Sequence, residues 1–256
     1  KGYQGTRRSE PEMSLVSTSG GTNGPPYDFF TGTYEITNGK FADFLNNAQA
    51  NTRNLLGTNM FFDARGNVWL HPDMQPRRDE MFTVADSRIV YRPAKPVGER
   101  YDISPRRPLF GDSYTDHPVS GVSWYGALKY CNWLTLATGR GEEQRCYREG
   151  TNTFDWAPVT CSETNWIDGN FLPKERAAWL EMDGFRLMMD NCSGGRSTNN
   201  VFNEFLKAAT WIGDTNVLFG YGRNSARRQD ATFYLQDSFI HPDTLPVGFF
   251  DGSDHD

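Results

Sequence analysis

No run of apolar residues in this chain approaches the ~18 that a membrane-crossing helix requires, so a transmembrane helix is excluded. Basic clusters are equally scarce. Arg7-Arg8, Arg77-Arg78, Arg106-Arg107 and Arg227-Arg228 are scattered pairs on a chain of net charge -6, which excludes a phosphate-tracking surface and with it a nucleic-acid partner. Histidine is limited to His71, His117, His241 and His255, and there is no H-E-x-x-H, clustered His/Glu set, G-x-S-x-G, Walker A or G-x-G-x-x-G. His117, before Pro118, reads as a packing or loop-capping residue. Cysteine is sparse too: Cys131, Cys146, Cys161 and Cys192, none spaced as a CxxC metal site. Sequence alone does not choose a pairing. Cys146 and Cys161 flank a turn-rich stretch and form the candidate disulfide, while Cys131 falls on the apolar face of a predicted helix and reads as a buried free thiol.

What the chain has instead is aromatic and loop-forming residues. Only 37% of its 256 residues are hydrophobic, but 14% are Phe, Trp or Tyr, and it holds 25 Gly and 14 Pro. This predicts an aromatic-rich core with long ordered loops around few helices and short strands, an α+β class. Loops of that length need staples, such as metal ions, disulfides or buried aromatics, to offset their ordering entropy. The same composition reads as secreted, periplasmic or cell-surface, with a targeting segment removed ahead of Lys1.

Residues 1–26 are polar and Gly/Ser/Thr-rich and read as an extended N-terminal arm; residues 27–256 read as one domain. Tyr27 to Tyr34 looks like a strand, and further strand pieces fall at Val68–Leu70 and Ser87–Tyr91, between prolines that enforce loop. Thr37 caps a first helix over 37–48, with Phe41, Phe44, Leu45 and Ala48 at helical spacing. Ser123 caps a second, with Trp124, Ala127, Leu128, Cys131, Leu134 and Ala137 facing the core and Gly139 as its stop. A short helix is possible at Lys174–Leu180, and Asn200 caps a third main helix with Phe202, Phe205, Leu206 and Ala209 on one face.

Three segments carry a resemblance. They are Tyr34-Glu35-Ile36-Thr37-Asn38 running to Phe44-Leu45; His117-Pro118-Val119 with Val122-Ser123-Trp124, Ala127 and Tyr130-Cys131-Asn132-Trp133-Leu134; and Gly184-Phe185-Arg186-Leu187 followed by Asn203 to Ala209. In this order the chain resembles the formylglycine-generating, or sulfatase-modifying factor, family. The resemblance implies an elaborated C-type-lectin-like fold with little regular structure, in which Trp124 and Trp133 fill the core. The family's Leu-Pro-Thr-Glu is here Leu187-Met188-Met189-Asp190 with a Gly/Ser/Asn-rich insert after it. Phe219 to Asn224 and Leu245 to Gly252 match later family stretches, and the segment that carries the catalytic cysteine pair in oxidases of the family is expected to be missing. Gly66-Asn67-Val68-Trp69 looks like part of that segment but lies far upstream and reads as a turn and strand.

The chemistry implied by the resemblance is therefore incomplete. A family oxidase uses two nearby thiolates to bind copper, a soft-ligand site. None of the four cysteines matches those positions, so copper is not expected here; Cys161 with Cys192 is a remote substitute. Calcium is the ion the resemblance favours, with Asp230, Asp237 and Asp243 as candidate ligands, although the family's usual Asn is replaced in Ala231-Thr232-Phe233-Tyr234. Tyr114, Trp166, Phe171 and Trp179 fall outside the family signatures and are candidate contact residues for a partner, with satellite core packing as the competing reading. The expected function is a non-catalytic secreted or envelope module acting as a structural or binding subunit, with a protein partner, a second copy of itself or a glycan. The alternatives are the N-terminal part of a copper-dependent formylglycine-generating oxidase and a calcium-dependent lectin-like glycan binder.

Overall fold

A computed structural model of the chain describes residues 11–17, 25, 27–73, 79–108, 111–189 and 204–210. In chain order its elements are β1 (Met13–Val16), β2 (Phe29–Gly32), α1 (Asn38–Ala50), β3 (Phe61–Phe62), β4 (Val68–Trp69), β5 (Glu80–Phe82), β6 (Ile89–Tyr91), β7 (Tyr101–Ile103), α2 (Trp124–Ala137), α3 (Glu163–Ile167), α4 (Pro173–Leu180) and α5 (Glu204–Thr210). Short strands, modest helices and long loops make this an α+β chain. The described residues fall in two compact units, one within Ile36–Arg107 and Asp112–Leu187, the other within Pro11–Glu35 and Pro108–Gly111 together with Met188, Met189 and Glu204–Thr210.

In the first unit both long helices start where capping chemistry places them. Thr37 has extended backbone and its hydroxyl accepts from the Lys40 amide at 3.4 Å, satisfying one of the free donors at the start of α1. Phe41, Phe44, Leu45 and Ala48 then fall on one buried face. Ser123 does the same for α2, accepting from the Gly126 amide at 3.3 Å, and Gly139, at φ +88°, ends that helix in the left-handed region. Between the helices the expected aromatic core is built. Phe41 stacks on Tyr130 at 5.5 Å, Phe44 meets the Tyr130 edge at 5.4 Å and lies 5.3 Å from Trp133, whose indole N–H donates to Asn47 at 2.8 Å. Each such ring pair contributes about 0.5–1.5 kcal/mol beyond the area it buries.

A three-stranded antiparallel sheet of order β3-β4-β5 and an antiparallel hairpin of β6 with β7 flank this core. Helix α2 is seated directly on β5: a Cβ at Gly126 would lie 2.1 Å from the Met81 carbonyl oxygen, so only glycine permits the approach. The β3-β4 turn is organised by Asp63, whose carboxylate accepts from the Arg65 and Asn67 amides, the Asn67 side chain and the Trp69 indole. The Gly66-Asn67-Val68-Trp69 stretch is accordingly a turn followed by a strand.

Within the first unit the structure departs from the periodicity reading in three places. Helix α2 is buried around most of its middle, not along one stripe: Lys129, Asn132 and Thr135 are as buried as Leu128 and Leu134. Lys129 is accommodated by an ion pair to Glu149 and a bond to the Leu55 carbonyl, and Asn132 bonds both Glu149 and the Tyr147 backbone. Trp124, expected in the core, is 43% exposed, because it occupies the first helical position and overhangs the end of the packed face. Strands β3, β5 and β7 and the five-residue helix α3 lie in stretches that sequence left irregular; they are too short for a periodic signal.

In the second unit β1 pairs antiparallel with β2, Leu15 opposite Phe30. Met13–Val16, inside the expected extended arm, is thus a paired strand. Helix α5 spans Glu204–Thr210, and Phe205, expected on its apolar face, is 66% exposed while Glu204 and Lys207 are buried; the side chains of Leu206 and Ala209 lie outside the described residues. Hydrogen bonding sets that orientation, since the Glu204 carboxylate accepts from the Tyr27 hydroxyl at 3.0 Å and the Met189 amide at 2.7 Å. The proposed cap Asn200 and Phe202 lie outside the described residues.

Candidate functional site

The thiols are the first chemistry to place. Cys131, Cys146 and Cys161 are all buried and free of disulfides. The Cys146–Cys161 disulfide is therefore not formed: the Cys146 sulfur turns toward the Gln144 carbonyl, under Gly184, whereas the Cys161 thiol lies against Glu175. Burial pushes Cys131 up to about 12 and Cys146 up to about 11, and burial together with the Glu175 carboxylate pushes Cys161 up to about 11. At neutral pH these groups are neutral thiols, poor nucleophiles toward a disulfide. Cys192, the other half of the substitute pair with Cys161, lies outside the described residues.

Three of the four candidate contact aromatics are interior. Tyr114 is buried with its ring edge-on to His117, 5.0 Å away, and under the Arg88 guanidinium. Phe171 and Trp179 pack on each other at 5.7 Å, and the Trp179 indole donates to the Cys146 carbonyl at 2.8 Å. These are satellite core residues, and a contact role for them is withdrawn. His117 is buried in the packing role expected of it.

Trp166 is the exception. It is half-buried in α3 and stacks on the exposed Trp124 ring, with centroids 6.0 Å apart and planes 13° apart. Tyr125 stands edge-on to Trp124 at 5.5 Å and contacts Trp156 in turn. Ile167 at 55% and Phe154 at 56% extend the exposed apolar surface along α3 and the neighbouring 3-10 turn Thr153–Asp155. Two local devices hold α3 in place. Ser162 caps it by accepting from the Asn165 amide, and the Glu175 carboxylate of α4 gathers the Ser162 amide, the Asn165 side chain and the Leu172 amide at 2.8–3.1 Å. Sequence reading assigned Trp124 to the core. The signal available was its place immediately after the Ser123 cap, where a side chain has core on one side only.

The calcium candidates Asp230, Asp237 and Asp243 lie outside the described residues. Among the described residues no group of three or more His, Cys, Asp or Glu is arranged to hold a metal ion, and no helix is long and apolar enough to cross a membrane.

The chain's likeness to known proteins covers the elements just described. A family model described as the sulfatase-modifying factor enzyme 1-like domain matches residues 25–180, from ahead of β2 to the end of α4. No curated protein and no solved structure matches the chain.

Proposed function

Since the chain belongs to the sulfatase-modifying factor enzyme 1-like domain family, we propose that it uses the family scaffold, of C-type-lectin-like design, as a non-catalytic structural or binding module outside the cytoplasm. The observation that supports this most directly is the state of the thiols. Oxidation of a substrate cysteine on this scaffold needs accessible, ionisable sulfur, and Cys131, Cys146 and Cys161 are buried with thiol pKa values of about 11–12. The Trp124–Trp166 surface offers what a binding module needs, a rigid aromatic platform fixed by helix caps rather than carried on a loose loop. Calcium held by Asp230, Asp237 and Asp243 belongs to this proposal as a structural ion, without support from the described residues.

The second reading, a copper-dependent formylglycine-generating oxidase, is favoured by the family match itself. One assay separates the two. The 256-residue chain is incubated with Cu(I), oxygen and a cysteine-containing peptide, and aldehyde is read by hydrazide capture and mass spectrometry. The expected result is no aldehyde above the copper-only control, with Cys131, Cys146 and Cys161 resisting iodoacetamide at pH 8 until denaturant is added. Catalytic aldehyde formation, or rapid labelling of two of those sulfurs in the folded chain, would overturn the non-catalytic reading.

A further inference from the structure

We propose that the Trp124–Trp166 pair and the acidic segments around it form a docking site for a cationic peptide segment, with an arginine or lysine side chain of a protein partner lying on the indole surface. The proposal rests on the binding-module reading above and gives that module a ligand class.

The first observation is the platform. Two near-parallel indoles lie at the surface, one of them 43% exposed, with Tyr125 edge-on beside them. Indole faces carry negative quadrupole charge and attract cations within about 6 Å, Trp more strongly than Tyr or Phe. The guanidinium group suits such a face because it is planar and weakly hydrated.

The second observation is the charge around the rings. Residues 119–127 and 150–172, which build the platform, contain Asp155, Glu163 and Asp168 and no Lys, Arg or His. Glu163 lies one helical turn before Trp166 in α3, on the same side of that helix, and is exposed. From outside these segments, Asp79 acts on Tyr125: burial and then the charge of Asp79 lift that phenol above its ordinary value. Two basic groups are bonded to these segments, Arg148 to the Cys161 carbonyl and Arg176 to the Phe171 carbonyl, each drawn onto backbone oxygen. A flat aromatic surface with one sign of charge around it selects cations over neutral or anionic ligands.

A neutral glycan also stacks on indoles, but it needs amide and hydroxyl partners at the rim. Of the asparagines in these segments, Asn165 is bonded to Glu175 and Asn152 caps the Thr153–Asp155 turn, while Asn170 is exposed beyond the end of α3.

The test uses the 256-residue chain and the indole N–H signals of its seven tryptophans, those of Trp124 and Trp166 being assigned from Trp124→Phe and Trp166→Phe. The chain is titrated with N-acetyl-Gly-Arg-Gly-Arg-Gly-amide, with its Lys and Glu counterparts, and with chitohexaose. The Arg peptide is expected to shift both assigned signals, the Lys peptide to do so more weakly and the Glu peptide not at all. Affinity should fall as salt rises, and Glu163→Gln, which leaves both rings in place, should weaken it by about threefold, the scale of an exposed ion pair. Failure of the Arg peptide to move the two signals overturns the proposal, as does binding unchanged in Glu163→Gln and at high salt. Chitohexaose shifting those signals in place of the Arg peptide overturns the cationic ligand while leaving a binding module standing. Should the tryptophan variants misfold, the Glu163→Gln and salt results still decide the question.

Discussion

Lys129 shows how single side chains set the character of this interior. Its ammonium is fully buried in α2, where burial lowers its pKa and the paired Glu149 pulls the other way. Removing one member of a buried pair leaves an uncompensated charge, a loss of about 3–5 kcal/mol, whereas removing both avoids most of that cost. Glu149→Gln is therefore expected to destabilise the chain by about that amount in urea unfolding. Lys129→Met added to Glu149→Gln should recover part of the loss. A single-variant loss of less than about 1 kcal/mol would place water, not protein, around the ammonium. At sequence level Lys129 is indistinguishable from a solvated helix lysine, because nothing local announces that Glu149 and the Leu55 carbonyl converge on it.

Elements carry a different kind of information. The starts of α1 and α2 were legible because a cap is a short-range device: Thr37 and Ser123 bond amides three residues ahead, whatever packs on the helix later. Ser123→Ala should lower stability by about 1 kcal/mol. Gly126→Ala, three residues on, should cost more, although alanine is the better helix former by about 1 kcal/mol, because the added Cβ would meet the Met81 carbonyl. Thermal unfolding of the two variants checks the ranking, and the reverse order would mean that α2 is not seated on β5. The faces of the helices were less legible than their starts. Phe205 points outward and Glu204 inward in α5, since the inward position is fixed by bonds from Tyr27 and Met189, residues distant in the chain.

At the scale of the whole molecule, fold and titration are linked. Burial opposes ionisation of Asp63, but its bonds from Trp69, Asn67 and Arg65 outweigh it; Glu175 is held low by the Ser162 amide first, against some desolvation, with help from Asn165 and Leu172. Both carboxyl groups sit below their ordinary values of 3.8 and 4.5, so their contribution is complete above that range and is lost as pH falls through the folded values. The three thiols are raised instead. Their contribution is complete below the ordinary thiol value of 9.0 and is lost as pH rises toward 11–12. Unfolding midpoints followed across pH should therefore show a plateau bounded on both sides, and Asp63→Asn should flatten the acid limb; an acid limb unchanged by that variant would remove Asp63 from the account. By itself the sequence determined the helix starts, the aromatic character of the core, the α+β class and the family, because caps, spacing and motifs act between residues close together in the chain. Only the tertiary structure decided that Tyr114, Phe171 and Trp179 are interior, that Trp124 joins Trp166 at the surface and that Cys146 and Cys161 stay apart. Exposure and pairing depend on which distant segments arrive alongside a residue, and no local pattern encodes that arrival.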